Sequence, residues 1–91
     1  MFRINDNKGF SITFDNGYTV SVQFGPGNYG SNRNLDPMSR DYAHSDGASA
    51  VTAETALLDP NGEFVPYGGD DVQGYRNVGE VMALMNYAAA L

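Results

Sequence analysis

The segment FSITFDNGYTVSVQF (residues 10–24) carries the clearest structural pattern in this chain. Apolar and polar residues alternate on both sides of its centre, which is the period-two pattern of strands with one buried face. A two-residue Asn-Gly turn would set Phe14 opposite Thr19, and with it every apolar residue opposite a polar one. A three-residue loop that ends with Gly17 in the left-handed region avoids this mismatch. The pattern therefore predicts an antiparallel hairpin with three apolar pairs: Phe14 with Tyr18, Ile12 with Val20, and Phe10 with Val22.

The second face of this hairpin is polar, so we expect it to be hydrated or to face a ligand. Its side chains are Ser11, Thr13, Thr19, Ser21 and Gln23. Upstream, Phe2 and Ile4 alternate in the same way and predict a short additional strand, with a turn over residues 6–9.

A second hairpin is predicted around DPNG (residues 59–62). Pro60 fits the second position of a type I turn and Gly62 fits the residue that closes it. Residues 51–58 and 63–67 then become the flanking strands. The first flank is also rich in helix formers, so a helix over residues 51–58 is the alternative. Because Pro66 has no amide donor, the second flank should lie at a sheet edge or end early.

The carboxy-terminal segment predicts a helix over residues 77–91. Asn77 and Glu80 form a variant of the capping box. Apolar residues follow at helical spacing, so this face should cover the sheet. They are Val78, Val81, Met82, Met85 and Ala88, with Leu84 and Leu91 widening the stripe. Met82 and Met85 suit either core packing or a plastic binding face.

These elements predict an α+β fold, in which a small antiparallel sheet of two hairpins packs against one carboxy-terminal helix. We expect a single domain over residues 1–91. Its parts are a hairpin region (1–24), a long irregular loop (25–49), a second hairpin (50–67) and the helix (77–91). A loop of this length in a small domain is usually functional or disordered.

Composition excludes several classes of protein. The 91 residues include no cysteine, which excludes a disulfide scaffold, a thiolate metal site and a cysteine nucleophile. The net charge of −6 opposes binding to a nucleic-acid backbone. No apolar run approaches the length of a membrane span, so we expect no membrane partner. The first residues lack the pattern of a secretory signal, which favours the cytoplasm.

The stretch FGPGNYG (residues 24–30) matches the G-x-G-x-x-G spelling of a dinucleotide-binding turn. Such a turn needs a parallel strand before it and a helix that begins at its third glycine. Here the strand belongs to an antiparallel hairpin, and residues 31–37 have no helical stripe and end in a proline. We therefore interpret the glycines as an exit from the sheet, not as a phosphate cradle.

We expect this exit to place the Asn28 side-chain amide and the Tyr29 ring where they can contact a partner. Tyr29 packing back onto the sheet is the equally favoured alternative. Arg33 and Arg40 are the bases of the loop and suit a phosphate or carboxylate, although Arg40 is better explained by neutralising nearby acids. The candidate contact residues are Asn28, Tyr29, Arg33, Arg40 and Tyr42 of the loop, with Thr13, Ser21 and Gln23 of the polar face.

Catalytic arrangements are poor, and we expect no enzyme activity, no cofactor and no metal. His44 is the only histidine, and it lies near Asp41 and Asp46. Asp41, His44 and Asp46 have a spacing that could provide three metal ligands, but a polar loop produces such spacing by chance. The adjacent acids Asp70 and Asp71 are more typical of a solvated turn than of a cation site.

The chain resembles a group of small uncharacterised proteins from tailed bacteriophages in the order of its features. These are the hairpin over residues 10–24, the GPGNY exit (residues 25–29), the DPNG turn (residues 59–62), Gly69-Asp70-Asp71, Gly74-Tyr75 and the closing helix with Glu80-Val81. The resemblance implies expression in the cytoplasm of a bacterial host. Phage proteins of this size are often inhibitors, so it also implies a non-enzymatic binding protein whose partner is a host or anti-phage defence protein. The alternatives are a sponge for a nucleotide-like signalling molecule and a minor virion protein. The thin core of a short chain also favours a homodimer.

Overall fold

The computed structural model describes residues 1–4, 8–34 and 49–91. These residues form six strands and one helix, arranged as a single antiparallel sheet with the helix on one face, which is the predicted α+β class. The elements are β1 (Phe2–Ile4), β2 (Gly9–Thr13), β3 (Thr19–Gln23), β4 (Ala53–Leu58), β5 (Phe64–Val65), β6 (Val72–Arg76) and α1 (Val78–Ala89). At 12 residues, α1 is too short to span a membrane, and the described residues hold no longer helix.

The first hairpin has the predicted register. Phe10 pairs with Val22 and Ile12 with Val20, while β1 adds a third strand on the outer side of β2. Gly17 has a φ of +88°, and its amide donates a hydrogen bond of 2.9 Å to the carbonyl oxygen of Phe14. The three-residue loop is thus confirmed, because a left-handed residue at its end continues the twist of the two strands.

The second hairpin is also confirmed, and the alternative of a helix over residues 51–58 is wrong. Leu57 pairs with Val20 of β3 and is fully buried. Pairing along β3 and burial outweigh the intrinsic helix preference of this segment. The return strand β5 has only two residues and ends before Pro66, as the missing amide donor requires.

Strand β6 was not predicted from the sequence. It pairs with the same edge of β4 as β5 does, but with the amino-terminal part of that strand. A buried polar network holds it there. The Thr55 hydroxyl donates to Oε1 of Gln73 at 3.1 Å, and Gln73 Nε2 donates to the carbonyl oxygens of Tyr67 and Asp70. The buried side chain of β6 is the polar amide of Gln73, so the sequence of this strand shows no apolar alternation.

The helix begins as predicted. The Asn77 side chain accepts from the Glu80 amide, and the Glu80 carboxylate accepts from the Asn77 amide, so the capping box is complete. These contacts and Arg76 lower the pKa of Glu80. The carboxylate also forms an ion pair with the Arg76 guanidinium at 2.7 Å.

The predicted apolar stripe of the helix is only partly buried. Leu84 and Ala88 are buried against the sheet, but Val78 is 73% exposed and Met82 is 53% exposed. With 3.6 residues per turn, these two side chains lie more than a quarter of a turn from the line through Leu84 and Ala88. The expectation that they cover the sheet was therefore wrong. The core is formed by Val20, Val22, Ala53, Leu57, Leu84 and Ala88.

Candidate functional site

The first ten residues of the predicted long loop, 25–34, are anchored to the segment that leads into β4. The Asn32 side chain is buried and donates to the carbonyl oxygens of Phe24 at 3.0 Å and Ser49 at 2.9 Å. The Ser31 hydroxyl oxygen accepts from the amide of Val51 at 2.9 Å. This part of the loop is consequently fixed relative to the sheet.

Tyr29 is fastened to the sheet through its main chain. Its amide donates to Oε2 of Glu54 at 2.8 Å, and its carbonyl oxygen accepts from the amide of Tyr75 at 2.8 Å. Gly74 lies directly beneath it, since a Cβ at that position would stand 3.1 Å from the Cβ of Tyr29. The backbone of Tyr29 is therefore held against the sheet by one hydrogen bond to β4 and one to β6.

The attachment uses an irregularity in β6. Two residues, Gly74 and Tyr75, oppose the single residue Glu54 of β4, which is a β-bulge. Tyr75 has a φ of +55° and is the only non-glycine residue with positive φ in the described part of the chain. The bulge turns the Tyr75 amide away from β4 and toward the loop. Backbone strain of this kind costs on the order of 1–3 kcal/mol and is concentrated at functional sites.

The side chain of Tyr29 stays available although its backbone is fixed. The Tyr29 residue is 50% exposed. The guanidinium carbon of Arg33 lies 4.7 Å from the ring centroid, which is cation–π geometry. Tyr29 and Arg33 thus form a preordered pair at the surface.

Part of the predicted polar face lies beside this pair. Gln23 is the cross-strand partner of Glu54, so the two side chains share one face, and Gln23 Nε2 donates to the Ser21 hydroxyl at 3.1 Å. We call the set Ser21, Gln23, Tyr29, Arg33 and Glu54 the contact face. It lies on the side of the sheet opposite to α1.

The remaining predicted contact residues that the structure describes do not belong to the contact face. Thr13 shares the polar face, but it pairs with Thr19, four residues along β3 from Gln23 and so about 13 Å away. Its hydroxyl forms a 2.8 Å hydrogen bond with that of Thr19. Asn28 is half-buried in the turn, where its backbone N–H donates to the carbonyl oxygen of Gly25 at 3.3 Å. The predicted candidates Arg40, Asp41, Tyr42, His44 and Asp46 lie outside the described residues.

Gly30, the last glycine of the G-x-G-x-x-G motif, has a packing role. Strand β3 is antiparallel to both of its neighbours, and residues 31–34 form turns. A Cβ at Gly30 would stand 2.9 Å from the carbonyl oxygen of Thr52, so any larger residue there displaces the loop from β4. Close approach of two backbones explains this glycine without a phosphate.

Sequence reasoning missed Glu54, Gly74 and Tyr75. Glu54 is the one charged residue of strand β4, and nothing local indicates that its carboxylate binds an amide of the loop. The Gly74-Tyr75 pair gives a weak signal, because glycine in a strand often marks a bulge or a close backbone approach. Among the described residues, no cluster of three His, Cys, Asp or Glu side chains suits a metal ion.

Comparison of the chain with protein-family models, curated proteins and solved structures finds no match.

Proposed function

We propose that this chain is a non-enzymatic binding module that docks onto another protein through the contact face. The observation that carries the proposal is the fixed Tyr29–Arg33 pair, which is attached to a strained bulge while the ring stays half exposed. Tyrosine and arginine are among the residues that dominate protein–protein binding energies. A tyrosine whose backbone is already fixed loses little conformational entropy on binding.

The partner class follows from the resemblance to small proteins of tailed phages. On that basis we propose a host or anti-phage defence protein, bound in the bacterial cytoplasm. The polar residues Ser21 and Gln23 then supply hydrogen bonds at the rim, around an aromatic and arginine centre.

A nucleotide-like signalling molecule is the second candidate. One specific feature favours it, namely the half-exposed Tyr29 on the same face as the Gln23 amide, since a base stacks on an aromatic ring and is read by amide groups. A ligand present at 100 times its dissociation constant would stabilise the chain by about 2.7 kcal/mol. A melting-temperature screen against a nucleotide library therefore tests this candidate directly.

Affinity capture tests the protein-binding proposal. The tagged wild-type chain and a Tyr29→Ala/Arg33→Ala variant are exposed to the same bacterial lysate, and bound proteins are quantified. Tyr87→Ala is the matched control, because Tyr87 is similarly exposed but lies on the helix. The proposal predicts one protein that the wild type and the control retain and the double variant loses. If every captured protein is retained by all three chains, the contact face is not the binding surface.

A further inference from the structure

The face of the sheet that carries α1 has more apolar surface than the helix covers. The helix packs over β3, β4 and β6, and the apolar side of β1 and β2 extends beyond it. By register, Ile4 lies beside Phe10 and Phe2 beside Ile12, so all four side chains share this face. Ile4 is 82% exposed and Phe2 is 74% exposed. Strand β1 therefore presents two apolar side chains to solvent, next to the partly buried Phe10 and Ile12 of β2.

A groove of about 300 Å³ runs between the helix and this uncovered surface. Its floor includes Phe10 and Val22, and its helical wall includes Met82 and Met85. Val51 and Val78 line it as well, and both are more than 70% exposed. The groove is thus open, apolar and bordered by methionines, which adapt their shape to a partner.

We propose that a second copy of this chain fills the groove. The apolar strip and the groove lie side by side on one face, so a two-fold axis between two copies places Ile4 and Phe2 of each in the groove of the other. Such an arrangement is closed and self-complementary, as the interface of a symmetric dimer must be.

Area supports a second copy as the occupant. Five exposed apolar side chains of the described residues are available to an interface on this face: Val51, Val78 and Met82 line the groove, and Phe2 and Ile4 lie on the neighbouring strip. With on the order of 100 Å² for each buried aliphatic or aromatic side chain, they supply about 500 Å² per copy. Burying the groove walls as well brings the interface toward the roughly 800 Å² per partner of a standard stable complex.

Charge favours this face for self-association. The chain carries a net charge of −6, so two copies repel each other on most approaches. Among the described residues, Arg76 is the only charged one that lines the groove, and it is paired with Glu80 at 2.7 Å. Two copies that meet at the groove therefore bring no unpaired charged side chain of its described lining together.

The dimer also has a consequence for the contact face. Because that face lies on the other side of the sheet, each copy keeps its Tyr29–Arg33 pair exposed. The dimer would present two equivalent binding surfaces, although the self-association itself does not depend on the proposed function.

Disulfide trapping tests the geometry, since the chain has no cysteine of its own. Ile4→Cys and Met82→Cys variants are mixed and oxidised, and the covalent product is compared with that of a Phe64→Cys and Val72→Cys mixture. The control positions are exposed on the opposite face of the sheet. We expect a cross-linked product from the first mixture well above the control. Equal yields from the two mixtures would overturn the proposal.

Light scattering tests the association without a cross-link. The wild type should have the mass of a dimer, and Ile4→Asp should weaken association at least about tenfold, because an unpaired charge is then buried at the interface. Ile4 is too exposed in the single chain for this change to unfold it. A wild type that stays monomeric at high concentration would contradict the proposal, whether or not a small molecule occupies the groove.

Discussion

The side-chain amide of Asn16 donates a hydrogen bond of 2.8 Å to the carbonyl oxygen of Ala88, across 72 residues of sequence. The same nitrogen donates to the carbonyl oxygen of Leu91 at 3.2 Å, while Oδ1 accepts from the Tyr18 amide at 3.0 Å. The last carbonyls of a helix have no partner within the helix itself. The turn of the first hairpin therefore closes the end of α1 and fixes the helix on the sheet.

Asn16→Ala should lower the free energy of unfolding by about 1–2 kcal/mol, because it removes these partly buried hydrogen bonds. For a chain of this size the melting temperature would fall by roughly 4–8 °C per kcal/mol. Asn61→Ala is the matched control, since Asn61 holds the same place in the second hairpin turn and is exposed. Equal melting temperatures for the two variants would show that Asn16 does not hold the helix.

Two threonines near the start of β4 should respond in opposite ways to the same substitution. Thr55→Val removes the donor to Gln73 and leaves a buried amide oxygen without a partner, which costs about 1–3 kcal/mol. The buried hydroxyl of Thr52 has no hydrogen-bond partner in the described structure. Thr52→Val should therefore leave the stability unchanged or raise it by up to about 1 kcal/mol. Chemical denaturation of both variants measures the difference, and the same sign of change in both would refute the assignment.

The capping box should make the stability of the helix depend on pH in the acidic range. The Asn77 amide and the Arg76 guanidinium hold the pKa of Glu80 below its usual range. This contribution is complete above the ordinary glutamate pKa of about 4.3 and is lost as the pH falls through the lower folded-state pKa. Glu80→Gln keeps an acceptor for the Asn77 amide but does not titrate.

The melting temperatures of wild type and Glu80→Gln, compared from neutral pH to pH 3, isolate this carboxyl from the other acids. The advantage of the wild type should shrink as the solution is acidified. A difference that stays constant over the range would mean that Glu80 does not titrate in a stabilising contact.

Elements with a local signal were predictable from the sequence. Predicting the first hairpin required only the alternation on either side of Gly17, because a one-residue shift in strand register would have exposed every apolar side chain of one strand. The helix start required only the spacing of Asn77 and Glu80. In both cases the residues that decide the structure are neighbours in sequence.

Features that depend on distant partners were not predictable. Strand β6 is held by the buried amide of Gln73, which has no periodic signature. Helical periodicity placed Val78 and Met82 on the apolar stripe of the helix, but it does not show which part of that stripe contacts the sheet. The contact face needs Glu54 and the bulge at Tyr75 to hold Tyr29, and these three segments come together only in the folded chain.

The affinity of the captured partner for wild type and for Tyr29→Ala shows whether Tyr29 lies at the centre of the binding surface. If the Tyr29–Arg33 pair is the centre of the binding surface, Tyr29→Ala should weaken binding by about 2 kcal/mol or more, which is roughly thirtyfold in the dissociation constant. Tyr87→Ala should bind as the wild type does. Equal dissociation constants for wild type and Tyr29→Ala, measured by calorimetry on folded proteins, would contradict the account.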